Sequence, residues 1–396
     1  MSDHILQIQR LKCASKIKHA STTVPQSNYY HIRHRKKMSQ STDDMANQQS
    51  QQYKCTHIFD QTLMKLATHM VYVGIGGSLN GPKAVYGFCL PLLNSKKKID
   101  FVSNDGQSFD DVMTRVDPNR VCFVFVSKSG NTHEVLYLYK KIKAYCVRIG
   151  VDFERRSIVI TSKNSQLDMA FSCPERTLYL DNQLVGRYTT ISEISMCIMV
   201  FMSSNNIFSE ILNGALTMDK RCQLPYDNNP VAQLSNDYAA LLKQNEMNAL
   251  YVINYCSQLD QWGVSYQQIG METNGKSSSE SIGPIIVVGN GSDFEHSILQ
   301  LMLASRKTSC VEVFLPMTWD SEIKRTHAHA FLARLQSNPF ASSTVIRLDT
   351  TKSETIGALF SFIEHRVLYL SNGLSCNPWD QPEVDAFKKM IPSLTQ

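Results

Sequence analysis

Three short stretches hold residue types whose spacing suits chemistry. "SKSGNT" (127–132) sets Ser127, Ser129 and Thr132 around one turn, directly after an apolar run. Three hydroxyls and several backbone amides at the start of a helix make a cradle for a phosphate group. The same residues serve equally well as a helix cap, through Thr132 or Ser129. No Walker lysine follows, which argues against a nucleotide-binding P-loop. "VYVGIGGSLNGP" (71–82) gathers Gly74, Gly76, Gly77 and Gly81 in a chain with only 18 glycines. Glycine lets a backbone approach an anion, and it also closes a tight strand-to-helix turn; this stretch alone leaves both open. In "QQIGMETNGKSSS" (267–279), Glu272 stands among small polar residues after an expected helix. There it is either a general base or a solvated surface carboxylate.

The surrounding pattern shows what must position these loops. "MVYVGIGGS" is an apolar strand running into the glycine turn, and "IDFVSND" (99–105) is a second strand. "RVCFVFVSKSGNTHE" (120–134) joins a third strand to the hydroxyl loop and then to the helical "EVLYLYKKIKAYCVRIG"; "RSIVITSKNS" (156–165) repeats the form. After Pro230 a second series follows: "NALYVINYC" (248–256), "GPIIVVGNGS" (283–292), "CVEVFLP" (310–316) and "STVIRLD" (343–349), separated by helical stretches such as "EHSILQLMLAS" and "SETIGALFSFIEHRVLYL". Apolar strands alternating with amphipathic helices predict α/β units with parallel sheets covered on both faces. We therefore expect two such units of about 150 residues each, joined near 205–230. Polar loops beyond the carboxyl ends of the strands are where such sheets bind ligands.

Composition excludes several classes. Hydrophobic residues make up 43% and charged residues 19% of the 396 positions, as in an ordinary globular protein. The net charge of +5 owes much to the first forty residues, where "HIRHRKKM" (31–38) is the densest basic run. That run reads as part of a solvated arm, and a nucleic-acid partner is not expected. "SQSTDDMANQQSQQ" (39–52) is close to low complexity and extends the arm. Eleven cysteines without a CxxC, and no secretion-signal pattern, lead us to expect free thiols in the cytoplasm. No apolar run approaches the ~20 residues of a membrane helix. "ISMCIMVFM" (194–202) reads as a buried helix, so no membrane association is expected.

Taken together, the loops resemble the phosphoglucose isomerase family. "VGIGGSLNGP" resembles its GIGGSxLGP motif, and the 101–134 stretch is similar to its FVSNxDG segment followed by the SK-S/T loop. "GRYTT" (186–190), "QQIGMETNGKS", "GPIIVVGNGSDFEHSILQL" and "WDQPEVDAFKK" (379–389) resemble four further motifs, in family order. The resemblance implies two sugar-isomerase (SIS) domains, each a three-layer αβα sandwich. The corresponding domain expectation is an N-terminal arm over 1–60, poorly ordered or in short helices, SIS domains over 61–225 and 226–375, and a C-terminal segment over 376–396 carrying a catalytic lysine.

The resemblance also implies roles by motif position. Ser127, Lys128 (through its backbone), Ser129 and Thr132 would bind the phosphate, with Gly77 and Ser78 alongside. Glu272 would move a proton between C1 and C2 of the open-chain sugar, and Arg187 would steady the cis-enediolate. His296 and Lys388 would handle ring opening; Gln268 and Gln381 would hold sugar hydroxyls. The histidine would be donated across a homodimer interface, and neither metal nor redox cofactor is implied.

The chain departs from the family pattern at several points. Val185 replaces the first glycine of the GGR motif, and the approach to His296 reads "GSDFEH" in place of GTNGQH. The FVSN loop is one residue shorter. The function expected is interconversion of glucose 6-phosphate and fructose 6-phosphate in glycolysis and gluconeogenesis. Turnover of mannose 6-phosphate is left open. The alternative is a non-catalytic sugar-phosphate-binding protein acting as a sensor or regulatory module.

Overall fold

The structure is a computed structural model that describes residues 5–12, 29–43, 51–60, 65–103, 108–247, 249–276 and 282–391. Within them the strands are β1 (Leu6–Lys12), β2 (His69–Val73), β3 (Lys98–Val102), β4 (Val121–Ser127), β5 (Ser157–Thr161), β6 (Thr177–Tyr179), β7 (Ala249–Asn254), β8 (Ile285–Asn290), β9 (Ser309–Pro316) and β10 (Ala341–Leu348). They form two five-stranded sheets in two compact units. The expected FVSN turn at 104–107, the end of the "QQIGMETNGKSSS" loop and the middle of the low-complexity stretch lie outside the described residues.

The unit Tyr29–Leu212 holds a sheet of order β3-β2-β4-β5-β6, parallel throughout. All seven residues of β4 and all five of β2 and β5 are buried, as continuous apolar strands covered on both faces must be. Helix His133–Ile149 lays Val135, Leu138, Tyr139, Ile142 and Cys146 on one side of this sheet, a helical stripe at spacings of three and four. Its end at Gly150, where φ is +73°, uses the left-handed cap that glycine adopts at no steric cost. Phe125 packs edge-on to Tyr139, with ring centroids 5.2 Å apart, and against Phe153 at 5.8 Å. Truncating such a fully buried ring to alanine costs about 3–5 kcal/mol. Helix Glu193–Phe201, from the "ISMCIMVFM" run, is buried at every position.

The basic run is not a solvated arm. It forms helix Tyr30–Asp43, whose inner face buries His31, Ile32, His34, Arg35 and Met38, while Arg33, Lys36 and Lys37 face out. His34 pairs with the buried Glu193 at 3.0 Å. Burial alone would lower the His34 pKa, but the hydrogen bond and charge of Glu193 outweigh it and raise the pKa. A second helix, Gln51–Asp60, buries Cys55, Ile58 and Phe59. This unit thus begins well before residue 61.

The unit containing Asn213–Lys389 holds a sheet of order β1-β10-β9-β7-β8. Four strands are parallel; β1, from the expected arm, is antiparallel to β10 with Leu6 opposite Leu348 and Ile8 opposite Ile346. The nominal arm is therefore split, its first strand closing the edge of the second sheet. Arg221 donates to the Leu6 carbonyl at 2.9 Å, and Arg10 is paired with Asp237. The expected connection near 205–230 is mostly helix, Asn205–Cys222, and the division between units falls inside it.

Helix Glu354–Gly373 is buried along almost its whole length and brings ionisable groups into the core. Glu312 of β9 accepts the hydroxyls of Tyr238, at 3.1 Å, and Tyr266, and lies 3.6 Å from the fully buried Arg366. Glu312 is thus matched by hydrogen bonds and an opposite charge, while the Arg366 guanidinium lies over the Tyr238 and Tyr266 rings, 5.7 and 5.1 Å from their centres. Among the described residues, no helix is long and apolar enough to cross a membrane.

Candidate active site

In the unit Tyr29–Leu212 the hydroxyl loop sits at the carboxyl end of β4, where a parallel sheet delivers its loops. Ser127 Oγ and Thr132 Oγ1 share a hydrogen bond of 2.8 Å, closing the loop into a ring. Ser127 Oγ also accepts from Gly130 N at 3.1 Å, and Ser129 Oγ accepts from Asn131 N at 3.3 Å. Thr132 occupies the N-cap position of helix His133–Ile149, but its side chain makes no cap hydrogen bond. The first-turn N–H groups of such a helix lack partners within the helix and carry its positive end. The Lys128 side chain leaves the loop to donate to Asn182 O at 2.9 Å, so only its backbone remains with the cradle. Burial lowers the Lys128 pKa, against the opposing charge of Asp181.

A neighbouring loop that sequence reasoning did not assign buttresses this one. Thr161 Oγ1 donates to Ser127 O at 2.7 Å, and Ser162 Oγ donates to Lys128 O at 2.6 Å. Ser165 Oγ lies 3.0 Å from Thr161 Oγ1 and directly under Gly130, whose φ of +65° and lack of a Cβ let the two loops meet. The signal was present in "ITSKNS", which repeats the strand–hydroxyl form of "VSKSGNT".

The glycine-rich loop has a reason of its own. A Cβ on Gly77 would stand 2.6 Å from Gly186 O and 3.1 Å from the Arg187 Cα, and one on Gly81 would collide with the Thr190 side chain. These glycines seat the loop on the turn Gly186–Tyr188, which carries Arg187. Ser78 is buried beside them, and its carbonyl accepts from Tyr72 at 3.1 Å. Arg187 is 2% exposed, its guanidinium 5.2 Å from the centre of the Tyr188 ring. The His31 ring packs against that same ring at a tilt of 33°, with centroids 5.4 Å apart. Val185 has φ −88° and ψ 140°, an extended conformation open to any residue, so the turn forms without the usual glycine.

In the other unit, helix Gly263–Asn274 carries Gln268 and Glu272 four residues apart, on one face. Gln268 Nε2 donates to Glu272 Oε1 at 2.9 Å, and the carboxylate is half-buried. Tyr266, Ile269 and Thr273 take the opposite, buried side. Asn274 fastens the helix end through Val367 O at 3.0 Å and Ser371 Oγ at 2.7 Å.

His296 lies in the second turn of helix Gly291–Ala304 and is exposed. Its neighbour Glu295 does not turn toward it. Tyr255 donates its hydroxyl to Glu295 Oε1, and His327 Nδ1 lies 2.9 Å from Oε2. Gln381 precedes helix Pro382–Met390 and donates to Asp385 Oδ1 at 3.0 Å; Lys388 stands exposed on that helix. Lys276 reaches Asp380 at 2.9 Å and so ties the C-terminal segment to the end of the Glu272 helix. The structure thus joins Ser127 with Thr132, Gly77 with the Arg187 turn, and Gln268 with Glu272. It places His296, Gln381 and Lys388 on or beside two further helices.

The sequence model of the family described as phosphoglucose isomerase matches residues 38–347. Glucose-6-phosphate isomerase of Chlamydia abortus is 27% identical over 370 residues, covering 82% of this chain and 67% of that protein. A crystal structure of a glucose-6-phosphate isomerase from Chlamydia trachomatis superposes with a TM-score of 0.78 at 22% identity, covering 93% of this chain and 78% of that one. A hypothetical protein from Thermus thermophilus superposes with a TM-score of 0.70 at 19% identity, covering 91% and 95%. At these identities the two structures speak for the fold alone.

Proposed function

The chain belongs to the phosphoglucose isomerase family, and we propose that it interconverts glucose 6-phosphate and fructose 6-phosphate through a cis-enediol. It is an aldose–ketose isomerase on this reading. The loop 127–132 holds the phosphate by backbone N–H groups and by the hydroxyls of Ser127, Ser129 and Thr132, with Gly77 and Ser78 alongside. A phosphate bound away from the reacting carbons contributes binding energy that orients them. Glu272 takes the proton from C2 of the open-chain aldose and returns it at C1. One carboxylate able to reach both carbons suffices for the transfer. The enediolate that forms between the two steps is an anion, and the guanidinium of Arg187 is the fixed cation assigned to it. Gln268 and Gln381 hold sugar hydroxyls, while His296 and Lys388 move the protons of ring opening. An imidazole, whose ordinary pKa lies near neutrality, suits that task.

The observation that carries this reading is the Gln268–Glu272 pair. The amide contact at 2.9 Å holds a half-buried carboxylate in one orientation, as a proton shuttle requires and a solvated surface glutamate does not. The test is turnover of fructose 6-phosphate, coupled to glucose-6-phosphate dehydrogenase, with the intact chain beside Glu272→Gln. A fall of about 10²–10⁴-fold in kcat is expected from loss of the base. Equal turnover in both proteins would remove Glu272 from its role. Absence of turnover in both, with sugar phosphate still bound, would replace the enzyme by a binding module. A glycolytic and gluconeogenic setting in the cytoplasm, and a homodimer in which His296 crosses to the partner's site, complete the proposal.

A further inference from the structure

The "GSDFEH" approach to His296 departs from the family pattern at Asp293, Phe294 and Glu295, and the structure gives two of these residues partners. The ring of Phe294 packs on Gly289 of β8, where any Cβ would collide with it. Glu295 is held by both carboxylate oxygens, from two different elements. Tyr255, fully buried just past β7, donates to Oε1; His327, on helix Glu322–Ser337, places Nδ1 at 2.9 Å from Oε2. The Glu295 side chain is 11% exposed, whereas the adjacent His296 is open to solvent.

Fastening the helix does not require this polar set. Ile298 and Met302 already bury the inner face of Gly291–Ala304, and withdrawing a carboxylate from water is costly unless it is fully bonded. What the set adds is direction. Neighbouring residues on a helix point about 100° apart, so a Glu295 clamped inward at two oxygens fixes where His296 leaves the helix.

We propose that Tyr255, Glu295 and His327 form a positioning set for His296 in ring opening. The inference rests on the reading of His296 as an acid–base group for that step. In ring opening the C1–O5 bond breaks, a proton leaves the O1 hydroxyl and a proton arrives at O5, giving the C1 aldehyde with no net redox change. A histidine that serves those oxygens from an exposed helix turn gains from being aimed before substrate arrives.

The experiment compares wild type, His296→Ala, Glu295→Ala, Glu295→Gln and Tyr255→Phe. Ring opening is read as anomer exchange of glucose 6-phosphate by NMR, alongside isomerisation turnover, KM and melting temperature. His296→Ala and Glu295→Ala are expected to slow anomer exchange by about 10–100-fold, the scale of a misplaced catalytic group, with KM unchanged. Glu295→Gln keeps an acceptor for Tyr255 and a donor for neutral His327, and is expected to restore most of the rate. Wild-type exchange in Glu295→Ala with loss in His296→Ala overturns the positioning role and leaves the His296 reading standing. Wild-type exchange in His296→Ala removes that reading and the proposal with it. Should Glu295→Ala fail to fold, Tyr255→Phe decides. It deletes one donor, and slower exchange at an unchanged melting temperature supports the set, while unchanged exchange overturns it.

Discussion

The cradle at 127–132 and the groups assigned to proton transfer are built in opposite ways. The cradle is bonded to itself and to the next loop of the same sheet: Ser127 to Thr132, Thr161 to Ser127, Ser162 to Lys128. It keeps its shape by hydrogen bonds that precede any ligand. The residues proposed for proton transfer, in the other unit, stand on three separate helical segments. Glu272 takes a hydrogen bond from Gln268 on its own helix, while His296 and Lys388 stand exposed to solvent. Preorganisation is therefore concentrated where binding is expected, and the groups proposed for ring opening are left to be aimed by what surrounds their helices.

That contrast predicts a split in kinetics. The largest effect is expected at Glu272, where the glutamine variant loses kcat by orders of magnitude with little change in KM; a rise in KM alone would break the division. Next comes the cradle. Thr132→Ala deletes a hydroxyl that closes the loop and is proposed to bind the phosphate, and hydrogen bonds to charged groups contribute about 1.5–3 kcal/mol. KM for fructose 6-phosphate, and the inhibition constant of inorganic phosphate, should both rise about 10–100-fold, with kcat within a few-fold of wild type. If KM rose while phosphate inhibition stayed constant, the loop would not be the phosphate site.

Gly77 sharpens the comparison further, because it belongs to the cradle side but touches the turn of Arg187. A Cβ 2.6 Å from Gly186 O cannot be absorbed by a flexible side chain; the backbone of one loop must move. Gly77→Ala is expected to cost about 1–3 kcal/mol of stability, the usual price of overpacking, and to lower kcat by displacing Arg187. Thermal melting and turnover on the same preparation check both. A stable variant with normal kcat would mean that the glycine serves only the turn.

These distinctions also mark what the sequence disclosed. The parallel sheets were readable because β2, β4 and β5 are continuous apolar runs, and each ends in a polar loop. The buried helix Glu193–Phe201 was readable because it has no polar face. β1 was not. "LQIQRLK" alternates in the way an edge strand does, with Leu6 and Ile8 inward and Gln7 and Gln9 outward, but it lies in a polar context and pairs with β10 more than 300 residues away. The packing of helix Tyr30–Asp43 was missed for a related reason, although short helices were expected there: its charges dominate the composition, while the residues that bury it are spaced along one face. At the candidate site, residue types singled out the hydroxyl loop and Glu272 as candidates. They could not show that Glu295 would bond Tyr255 and His327 instead of His296, because side-chain direction follows from tertiary packing that no local motif encodes.

The smallest predicted effect tests how that helix is held. His34 and Glu193 form a buried pair at 3.0 Å, and the net result is a raised His34 pKa, although burial by itself opposes it. A group whose pKa is higher folded than unfolded binds its proton more tightly when folded. It therefore contributes stability fully below the unfolded value, near the ordinary 6.5, and that contribution is lost as pH rises through the folded value. The melting temperature of the intact chain should fall from below pH 6.5 to above the raised His34 value, by a few degrees at most. His34→Gln should flatten that part of the profile while leaving the cradle's phosphate affinity unchanged. A wild-type profile flat across this window would mean that His34 binds its proton equally in the folded and unfolded chain, and that the basic helix is held by Ile32, Arg35 and Met38 without net help from charge at His34.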